Sequence, residues 1–180
     1  MPEPYRVISY IDGFNFYFGL REKGWKKYYW VDLVGLSTSL LKPNQTLVHC
    51  HYFTARVSAK GGNQADAKRQ STWLEALETL QGQTSHFGHY LQKQVSCRKC
   101  GANWTTHEEK MTDVNIASQL LCDAFDDNFD TALVISGDSD LTTPIRMARA
   151  FSKQANHRRI SAGPKFCSIE ENSDREFHYW

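Results

Sequence analysis

The sequence predicts an α/β fold in which a mainly parallel sheet carries helices on both faces. Three observations predict it. Short apolar runs rich in β-forming residues alternate along the chain with amphipathic segments of helical period. The chain has 180 residues, enough for one such domain with a hydrophobic core. Aspartates follow two of the apolar runs, at the edge where open α/β sheets bind ligands.

The elements follow from hydrophobic period and from turn residues. Four apolar runs are predicted as strands, over residues 5–11, 46–53, 84–91 and 131–135. Amphipathic segments predict helices over residues 14–20, 31–41, 63–80, 106–125 and 141–151. Thr106 and Glu109 have the spacing of a capping box, so the fourth helix is expected to begin there. Residues 92–105 are predicted to form an irregular insertion that contains cysteines.

The domain is expected to span residues 1–153, with residues 154–180 as an atypical tail. The tail has no apolar periodicity and no clear strand, although a sheet of this kind normally gains a strand after its last helix. At least one nucleotide sequence that encodes this tail has a second reading frame of interest. Shifted by one nucleotide, it encodes a β-rich run, a Pro-Pro pair that ends the run, and a helical segment. We therefore hypothesise that the tail is translated out of frame and is poorly ordered. The nucleotide sequence of the gene tests this hypothesis.

Composition restricts the class of protein. The net charge is +1, so any contact with nucleic acid must come from a local basic patch. Five cysteines are an odd number without the layout of a disulfide framework, which favours a reducing cytoplasm. The first residues lack the features of a signal peptide, and no apolar stretch approaches the roughly 20 residues that span a bilayer. A cytoplasmic protein without membrane contact is expected.

Four aspartates carry most of the functional information. Asp12 follows the first predicted strand, Asp138 and Asp140 follow the fourth, and Asp113 begins the amphipathic segment between them. If the two strands are parallel neighbours, the acids beyond their C-terminal ends converge at one edge of the sheet. Clustered carboxylates raise one another's pKa unless a cation compensates them. Oxygen ligands select Mg²⁺ or Mn²⁺, so the pattern indicates metal-assisted phosphate chemistry.

Each acid also has an ordinary structural interpretation. An aspartate after a strand is often only a helix N-cap, and Asp138 or Asp140 alone would more often be a cap than a ligand. Asp113 alone would be a solvated helix residue. Asp12 is harder to dismiss, because it precedes a glycine in an otherwise apolar run. The combination of all four acids favours a metal site.

Three motifs resemble the NYN domain family (LabA-like proteins), which is related to PIN-domain nucleases. They are Tyr-Ile-Asp-Gly-Phe-Asn at residues 10–15, Glu-Lys-Met-Thr-Asp-Val at 109–114 and Ser-Gly-Asp-Ser-Asp-Leu at 136–141. Their order and spacing match the family over about residues 5–151. The resemblance implies a three-layer, PIN-like (Rossmann-like) α/β/α sandwich in which the acids bind Mg²⁺ or Mn²⁺ and support RNA hydrolysis. The encoded tail departs from the family pattern, whereas the frame-shifted string is similar to the usual last strand.

A metal-dependent endoribonuclease is therefore the leading functional prediction, with RNA as partner. Asp12 and Asp138 are assigned as direct ligands, and Asp113 and Asp140 complete the site directly or through water. The alternative is a non-catalytic RNA- or protein-binding module of the same fold. A phosphatase of the aspartyl-phosphate kind is disfavoured, because such enzymes usually carry Asp-x-Asp after the first strand. A homo-oligomer or a protein partner is left open.

Two further polar residues are predicted to take part in catalysis. Asn15 lies one helical turn beyond Asp12 and could orient a water molecule or a phosphate oxygen. Ser136 could donate a hydrogen bond to phosphate. The following Gly137 permits a tight turn that brings backbone amides close to the site.

Phosphate contacts require cations near the acidic edge. Arg56 and Lys60 follow the second predicted strand on that edge, Lys110 lies near the acid at position 113, and Arg146 follows the last acidic motif. Each alone is more often a solvated surface charge. Arg56 and Lys110 are the preferred contacts on topological grounds.

The sequence Cys97-x-x-Cys100-Gly has the spacing of a zinc knuckle. One such pair supplies only two ligands, and His107 is the nearest third candidate. The alternative is a pair of free or redox-labile thiols in a surface loop. Cys50 and Cys122 are interpreted as small core residues.

Overall fold

A computed structural model describes residues 3–57, 64–154 and 159–162 of the chain. Its strands are β1 (Tyr5–Asp12), β2 (Gln45–Ala55), β3 (Gln83–Ser96), β4 (Asn103–Lys110), β5 (Thr131–Ile135) and β6 (Arg159–Ala162). Its α-helices are α1 (Gly13–Glu22), α2 (Leu33–Ser39), α3 (Gln64–Glu78), α4 (Thr112–Phe125) and α5 (Thr142–Gln154). Short 3₁₀ helices occupy Lys26–Tyr28 and Ser139–Leu141.

The strands form one sheet in the order β4-β3-β2-β1-β5-β6. All neighbouring pairs are parallel except β3 and β4, which are antiparallel. Helices α4 and α5 cover one face of the sheet, and α1, α2 and α3 cover the other. The predicted three-layer α/β/α architecture with a mainly parallel sheet is confirmed.

The central strand β1 explains how the two layers share one core. Ile8 and Tyr10 pack with α4 and α5, whereas Val7 and Ile11 pack with α1 and α2, because side chains alternate across a strand. All four are buried, and each fully buried apolar side chain stabilises the fold by roughly 1.5–3 kcal/mol. The next residue, Asp12, is buried at the C-terminal end of this apolar strand.

The predicted irregular insertion over residues 92–105 is wrong. Strand β3 continues to Ser96, the chain turns, and β4 runs back antiparallel to it. The described side chains of this β-hairpin are mostly exposed, and they form no buried apolar face. Hydrophobic alternation therefore gave no signal, and backbone pairing between the two strands determines the structure instead.

The predicted helix start at Thr106 is also wrong. Residues 106–109 belong to β4, and α4 begins at Thr112. Met111 precedes the helix with a φ of 80°, a left-handed conformation that turns the chain sharply from strand to helix. Four residues with capping-box spacing thus extend the hairpin, because strand pairing outweighs a local capping pattern.

Within the predicted tail, residues 159–162 form β6, parallel to β5, where the sequence showed no clear strand. The sheet thus gains the strand that its topology favours after α5. Residues 155–158 and 163–180 lie outside the described residues, and the out-of-frame hypothesis remains a prediction. In the described ranges, no helix combines the length and apolar character required to cross a bilayer.

Candidate functional site

The carboxylate of Asp12 is held by four donors at the junction of β1 and α1. Its Oδ1 accepts from the backbone N–H groups of Phe14 and Asn15, both at 3.1 Å, so Asp12 caps α1. Its Oδ2 accepts from Asn15 Nδ2 at 2.6 Å and from Ser136 Oγ at 2.8 Å. The side chain is 1 % exposed. A carboxylate offers about four acceptor positions, and all of these are occupied.

A glycine at position 13 allows α1 to begin close to the neighbouring strand. A Cβ atom there would lie 2.7 Å from the backbone oxygen of Phe53, a contact that real Cβ atoms do not make. Any larger residue would displace the start of α1 and with it the N–H groups that hold Asp12. Gly13 is therefore needed for close backbone approach.

A second turn, after β5, supplies the partner of Asp12. Ser136 Oγ donates to Asp12 and accepts from the backbone N–H of Asp138 at 3.1 Å. Asp138 Oδ1 accepts from the backbone N–H of Asp140 at 2.8 Å and caps the 3₁₀ helix that follows. Because its hydroxyl hydrogen is engaged by Asp12, Ser136 positions this carboxylate in the present arrangement. The predicted hydrogen bond from Ser136 to phosphate would require that hydroxyl to turn.

An open cleft of about 420 Å³, which we call the acidic cleft, lies at this edge. Its lining residues come from the end of β1, from α1, from α4 and from the turn after β5. They are Asp12, Phe14, Asn15, Phe18, Gly19, Glu22, Asp113 and Asp138. Three of the four predicted acids thus share one cleft. Asp140 is exposed and is not among the lining residues.

The acidic cleft concentrates negative charge. Four of its described lining residues are acidic and none is basic. Burial raises the pKa of Asp12 above its usual value, hydrogen bonds from Asn15 and Ser136 offset part of that rise, and the nearby Asp138 carboxylate adds to it. The surroundings therefore favour either a proton or a cation at Asp12.

The donor chemistry of the acidic cleft fits a small, hard cation, because carboxylate and amide oxygens are the ligands that Mg²⁺ prefers. Within the described ranges, however, no three His, Cys, Asp or Glu side chains are grouped closely enough to hold one ion. Mg²⁺ commonly binds through one or two carboxylates and retains water, so a sparse set is compatible with it. Direct ligation by Asp12 would require one of its present donors to turn away.

Sequence reasoning missed four residues of the acidic cleft, which are Phe14, Phe18, Gly19 and Glu22. A signal for two of them was available. Phe18 and Glu22 follow Asn15 at intervals of three and seven residues, which places them on one face of α1. A search for polar partners on that helical face would have identified Glu22.

The predicted phosphate contacts are distributed around the molecule. The Arg56 guanidinium lies 4.4 Å from the centre of the Phe87 ring and 3.8 Å from Glu78. Lys110 is exposed at the end of β4, and Arg146 is exposed on α5. Lys60 lies outside the described residues. None of the four lines the acidic cleft in the described structure.

The cysteine pair occupies the tip of the β3–β4 hairpin. Backbone N–H groups of Cys100 and Lys99, and the Cys100 side chain, donate to Cys97 and hold the pKa of its thiol below the usual value. Gly101 takes a φ of 72°, which completes the turn. The side chain of His107, the predicted third zinc ligand, lies outside the described part. Zinc binding remains a prediction.

Two other predicted features have different outcomes. Cys50 is buried in the core, as predicted. Cys122 is exposed on α4, so its assignment to the core is wrong.

A second buried aspartate was not anticipated. Asp123 on α4 accepts from Tyr10 Oη at 2.8 Å, Gln119 Nε2 at 3.1 Å and Asn128 Nδ2 at 2.9 Å. His51 Nε2 lies 3.4 Å from the same carboxylate. Asp123 falls seven residues after Ile116 on the apolar face of α4, a position where a carboxylate is conspicuous in the sequence.

Comparison with known proteins identifies the family of this chain. The NYN domain model matches residues 6–175, nearly the whole chain. The chain therefore belongs to the NYN domain family, as the three motifs predicted. This family is nuclease-like, of the PIN type, and its members generally act on nucleic acids with the help of divalent metal ions.

One similar curated protein is 6-hydroxy-3-succinoylpyridine 3-monooxygenase HspA of Pseudomonas putida (strain DSM 28022 / S16). It is 28% identical over an alignment that covers 82% of this chain and 57% of that protein. The chain thus spans little more than half the length of this relative.

A similar solved structure is the crystal structure of VPA0982, a protein of unknown function from Vibrio parahaemolyticus RIMD 2210633. It aligns with a TM-score of 0.52 and 17% identity, over 92% of this chain and 85% of that one. This likeness supports the fold alone.

Proposed function

We propose that the protein is a metal-dependent ribonuclease whose active site is the acidic cleft. The observation that carries the proposal is the meeting of Asp12, Asp113 and Asp138 in one cleft, although more than a hundred residues separate the first from the other two. Membership of the NYN family supports the same chemistry. Endonucleolytic cleavage of RNA is the specific activity that we propose.

Mg²⁺ or Mn²⁺ would be held directly by Asp12 and Asp138, with Asp113 and Asp140 completing the site directly or through water. When bound, such a cation neutralises charge on a phosphate and promotes ionisation of water. Of the two side chains that donate to Asp12, Asn15 is partly exposed and Ser136 is buried. We propose that the Asn15 amide leaves Asp12 Oδ2 and then orients a phosphate oxygen or water.

Arg56 is the preferred contact for phosphates on either side of the cleaved bond. It is exposed, and its ion pair with Glu78 is also exposed and long, so this pair contributes little stability. Arg56 can therefore leave Glu78 and pair with a phosphate at little cost in free energy. Lys110 is a second contact at the end of β4, three residues before Asp113.

Cleavage of a labelled RNA with Mn²⁺ tests the proposal. We expect cleavage by the wild-type protein and a loss of at least about 1,000-fold in Asp12→Asn and Asp138→Asn, since each change removes a proposed metal ligand. Asp126→Asn is the matched control, because Asp126 is exposed at the end of α4 and lies outside the acidic cleft. Equal cleavage by wild type and the Asp12 variant would reject this site.

The same assay separates the enzyme from a non-catalytic module of the same fold. The saturated hydrogen bonding of Asp12 favours this alternative, because a module would keep the carboxylate as a structural cap. RNA binding of equal strength with and without Mn²⁺, and no cleavage, would support the module.

A second candidate function follows from the name of the relative that acts on a succinoylpyridine. An aromatic cavity beside α1 favours a planar heteroaromatic ligand. We propose oxygenation of such a ring only as a competing activity. Monooxygenation also needs a two-electron donor, such as a reduced nicotinamide, to reduce the second oxygen atom to water. Consumption of oxygen that requires both a hydroxypyridine and this donor, with no cleavage of RNA, would support it.

A further inference from the structure

A second, larger cavity lies beside the acidic cleft, on the face of the sheet that α1 and α3 cover. Its volume is about 570 Å³, within the range of ligand-binding pockets. We call it the aromatic cavity and define it by Tyr17, Arg21, Trp30, Tyr52, Gln70 and Trp73, which come from α1, β2, α3 and the segment before α2. None of these residues has a role in the site described above.

The inner wall of the aromatic cavity is rigid. Tyr52 is buried on β2, and its ring meets that of Trp73 edge to face, with centres 5.2 Å apart and an angle of 84°. Gln70 donates to the backbone oxygen of Ala55 and accepts from the backbone N–H of Val57, so both ends of its amide are fixed. Such a preformed wall lowers the entropic cost of binding a flat ring.

The outer wall is aromatic and open. Tyr17 and Trp30 line it and are 44 % and 55 % exposed, respectively. Exposed tyrosine and tryptophan rings offer stacking surfaces at low conformational cost, and every nucleobase has a face that can stack on them. Neither ring is part of the buried core, and a planar ligand would cover both of them.

Charge distinguishes the two cavities. Among the residues that the structure describes, Arg21, Lys26 and Arg69 line the aromatic cavity with one acid, Asp66, which pairs with Arg69. The charged residues described in the lining of the acidic cleft are all acids. A flat ring that carries a phosphate fits the first cavity, whereas a cation fits the second.

The two cavities are adjacent. Phe14 and Phe18 line both of them, and their rings are stacked with centres 6.2 Å apart. A chain that passes over these two rings would connect the cavities. A polymer of alternating rings and phosphates has the chemistry to occupy both at once.

We propose that the aromatic cavity is a nucleobase subsite of the RNA-binding surface. It takes a base near the phosphate that enters the acidic cleft, with stacking on Tyr17 or Trp30 and with Arg21 and Lys26 close to the adjoining phosphate. The choice of RNA as ligand rests on the proposed nuclease function. Stacking tolerates different bases, so the subsite holds single strands with little sequence preference.

Binding of a non-cleavable strand without metal tests the subsite apart from catalysis. The probe is a fluorescein-labelled 2′-O-methyl adenylate tetramer with a 5′-phosphate, measured by anisotropy in EDTA. Trp30→Ala should weaken binding by about fivefold to 100-fold, as expected for loss of one stacked base. Trp104→Ala is the matched control, since Trp104 is 48 % exposed on β4 and lies outside the cavity. Equal affinities of the wild type and both variants would overturn the proposal.

A charge variant gives an independent test that does not depend on a tryptophan. Lys26→Gln should reduce the salt dependence of binding by about one phosphate contact, and Lys42→Gln should leave it unchanged. Lys42 is an exposed lysine beyond α2 and is not among the residues of the cavity. The same salt dependence in wild type and Lys26→Gln would overturn the placement of a phosphate beside Lys26.

A competition experiment identifies the class of ligand whose ring occupies the aromatic cavity. Adenosine monophosphate should displace the tetramer, whereas nicotinate and inorganic phosphate at the same concentration should not. Displacement by nicotinate alone would overturn the nucleobase assignment in favour of a small heteroaromatic acid. If Trp30→Ala weakens binding while Asp12→Asn still cleaves RNA as the wild type does, the subsite is supported and the acidic cleft is rejected as the active site.

Discussion

Asp12 and Asp123 are both buried aspartates, with exposures of 1 % and 5 %, yet their surroundings act on them in opposite directions. Burial raises the pKa of both. At Asp12 the nearby Asp138 carboxylate adds to the rise, and the pKa stays above its usual value. At Asp123 hydrogen bonds from His51, Asn128, Gln119 and Tyr10 outweigh burial and bring the pKa below its usual value.

The difference teaches which buried acid is structural. Asp123 has four neighbouring donors, one of them an imidazole, and its charge is satisfied within the fold. Asp12 has saturated hydrogen bonds but lies beside other acids, and its charge is not compensated by a cationic side chain of the cleft. A buried carboxylate whose ionised form destabilises the folded state is a candidate functional residue.

Among the changes that test this comparison, Asp123→Asn is expected to have the largest effect on the free energy of unfolding. The change turns one acceptor oxygen into a donor amide. Either Asn128, which donates to Oδ1, or the three donors at Oδ2, which are Tyr10, Gln119 and His51, then lose their acceptor. We expect the free energy of unfolding to fall by about 3 kcal/mol at pH 7, measured by urea denaturation. Cleavage of RNA per folded molecule should remain within about twofold of the wild type, since Asp123 is not part of the acidic cleft.

The pH dependence of the same variant has a defined sign. A folded-state pKa below the unfolded value of about 3.9 stabilises the fold above that pH, and this stability is lost as pH falls through the folded pKa. The difference between wild type and Asp123→Asn should therefore be full at pH 6 and shrink below about pH 4. A difference that grows on acidification would contradict the assignment of Asp123 as a stabilising carboxylate.

Addition of Mg²⁺ gives the next largest effect. At ten times its dissociation constant, Mg²⁺ should stabilise the wild-type protein by about 1.4 kcal/mol, visible as a rise in Tm. Asp12→Asn and Asp138→Asn should lose most of this increment, whereas Asp123→Asn should keep it. The same increment in wild type and Asp12→Asn would indicate that the cation binds elsewhere.

The sequence predicted those features whose physical cause is local or periodic. The parallel sheet and its helical layers followed from apolar runs that alternate with amphipathic segments. The convergence of Asp12 and Asp138 followed from the geometry of parallel strand ends, and Asp113 joins them from the first turn of α4. The cap formed by Asp12 was also accessible, because a strand, an aspartate and a glycine precede a helix.

Features that depend on pairing across the fold were not accessible in this way. The β3–β4 hairpin exposes most of its described side chains, so its strands carry no apolar pattern that a search for periodicity detects. The hydrogen bond from Tyr10 to Asp123 joins residues of β1 and α4 that are 113 positions apart, and only the folded sheet brings them together. Asp140 was grouped with the other acids by sequence proximity, but the turn after β5 leaves it outside the lining of the cleft.

The smallest expected effect belongs to Asp12→Asn without metal, and its sign is opposite to that of Asp123→Asn. A folded-state pKa above the unfolded value means that the ionised Asp12 destabilises the fold once pH exceeds about 3.9, and this cost grows until pH passes the folded pKa. The neutral amide removes the cost. Ser136 Oγ can then accept a hydrogen bond, and the Asn15 amide can turn to present its oxygen.

We therefore expect Asp12→Asn to raise the free energy of unfolding by up to about 1 kcal/mol at pH 7 in EDTA, and to have a smaller effect at pH 4. Urea denaturation at both pH values measures the difference. A loss of stability at pH 7 equal to that of Asp123→Asn would contradict the comparison, because it would make Asp12 a satisfied structural cap. A gain in stability together with a loss of cleavage is the expected result for a residue that is required for activity but lowers the free energy of unfolding.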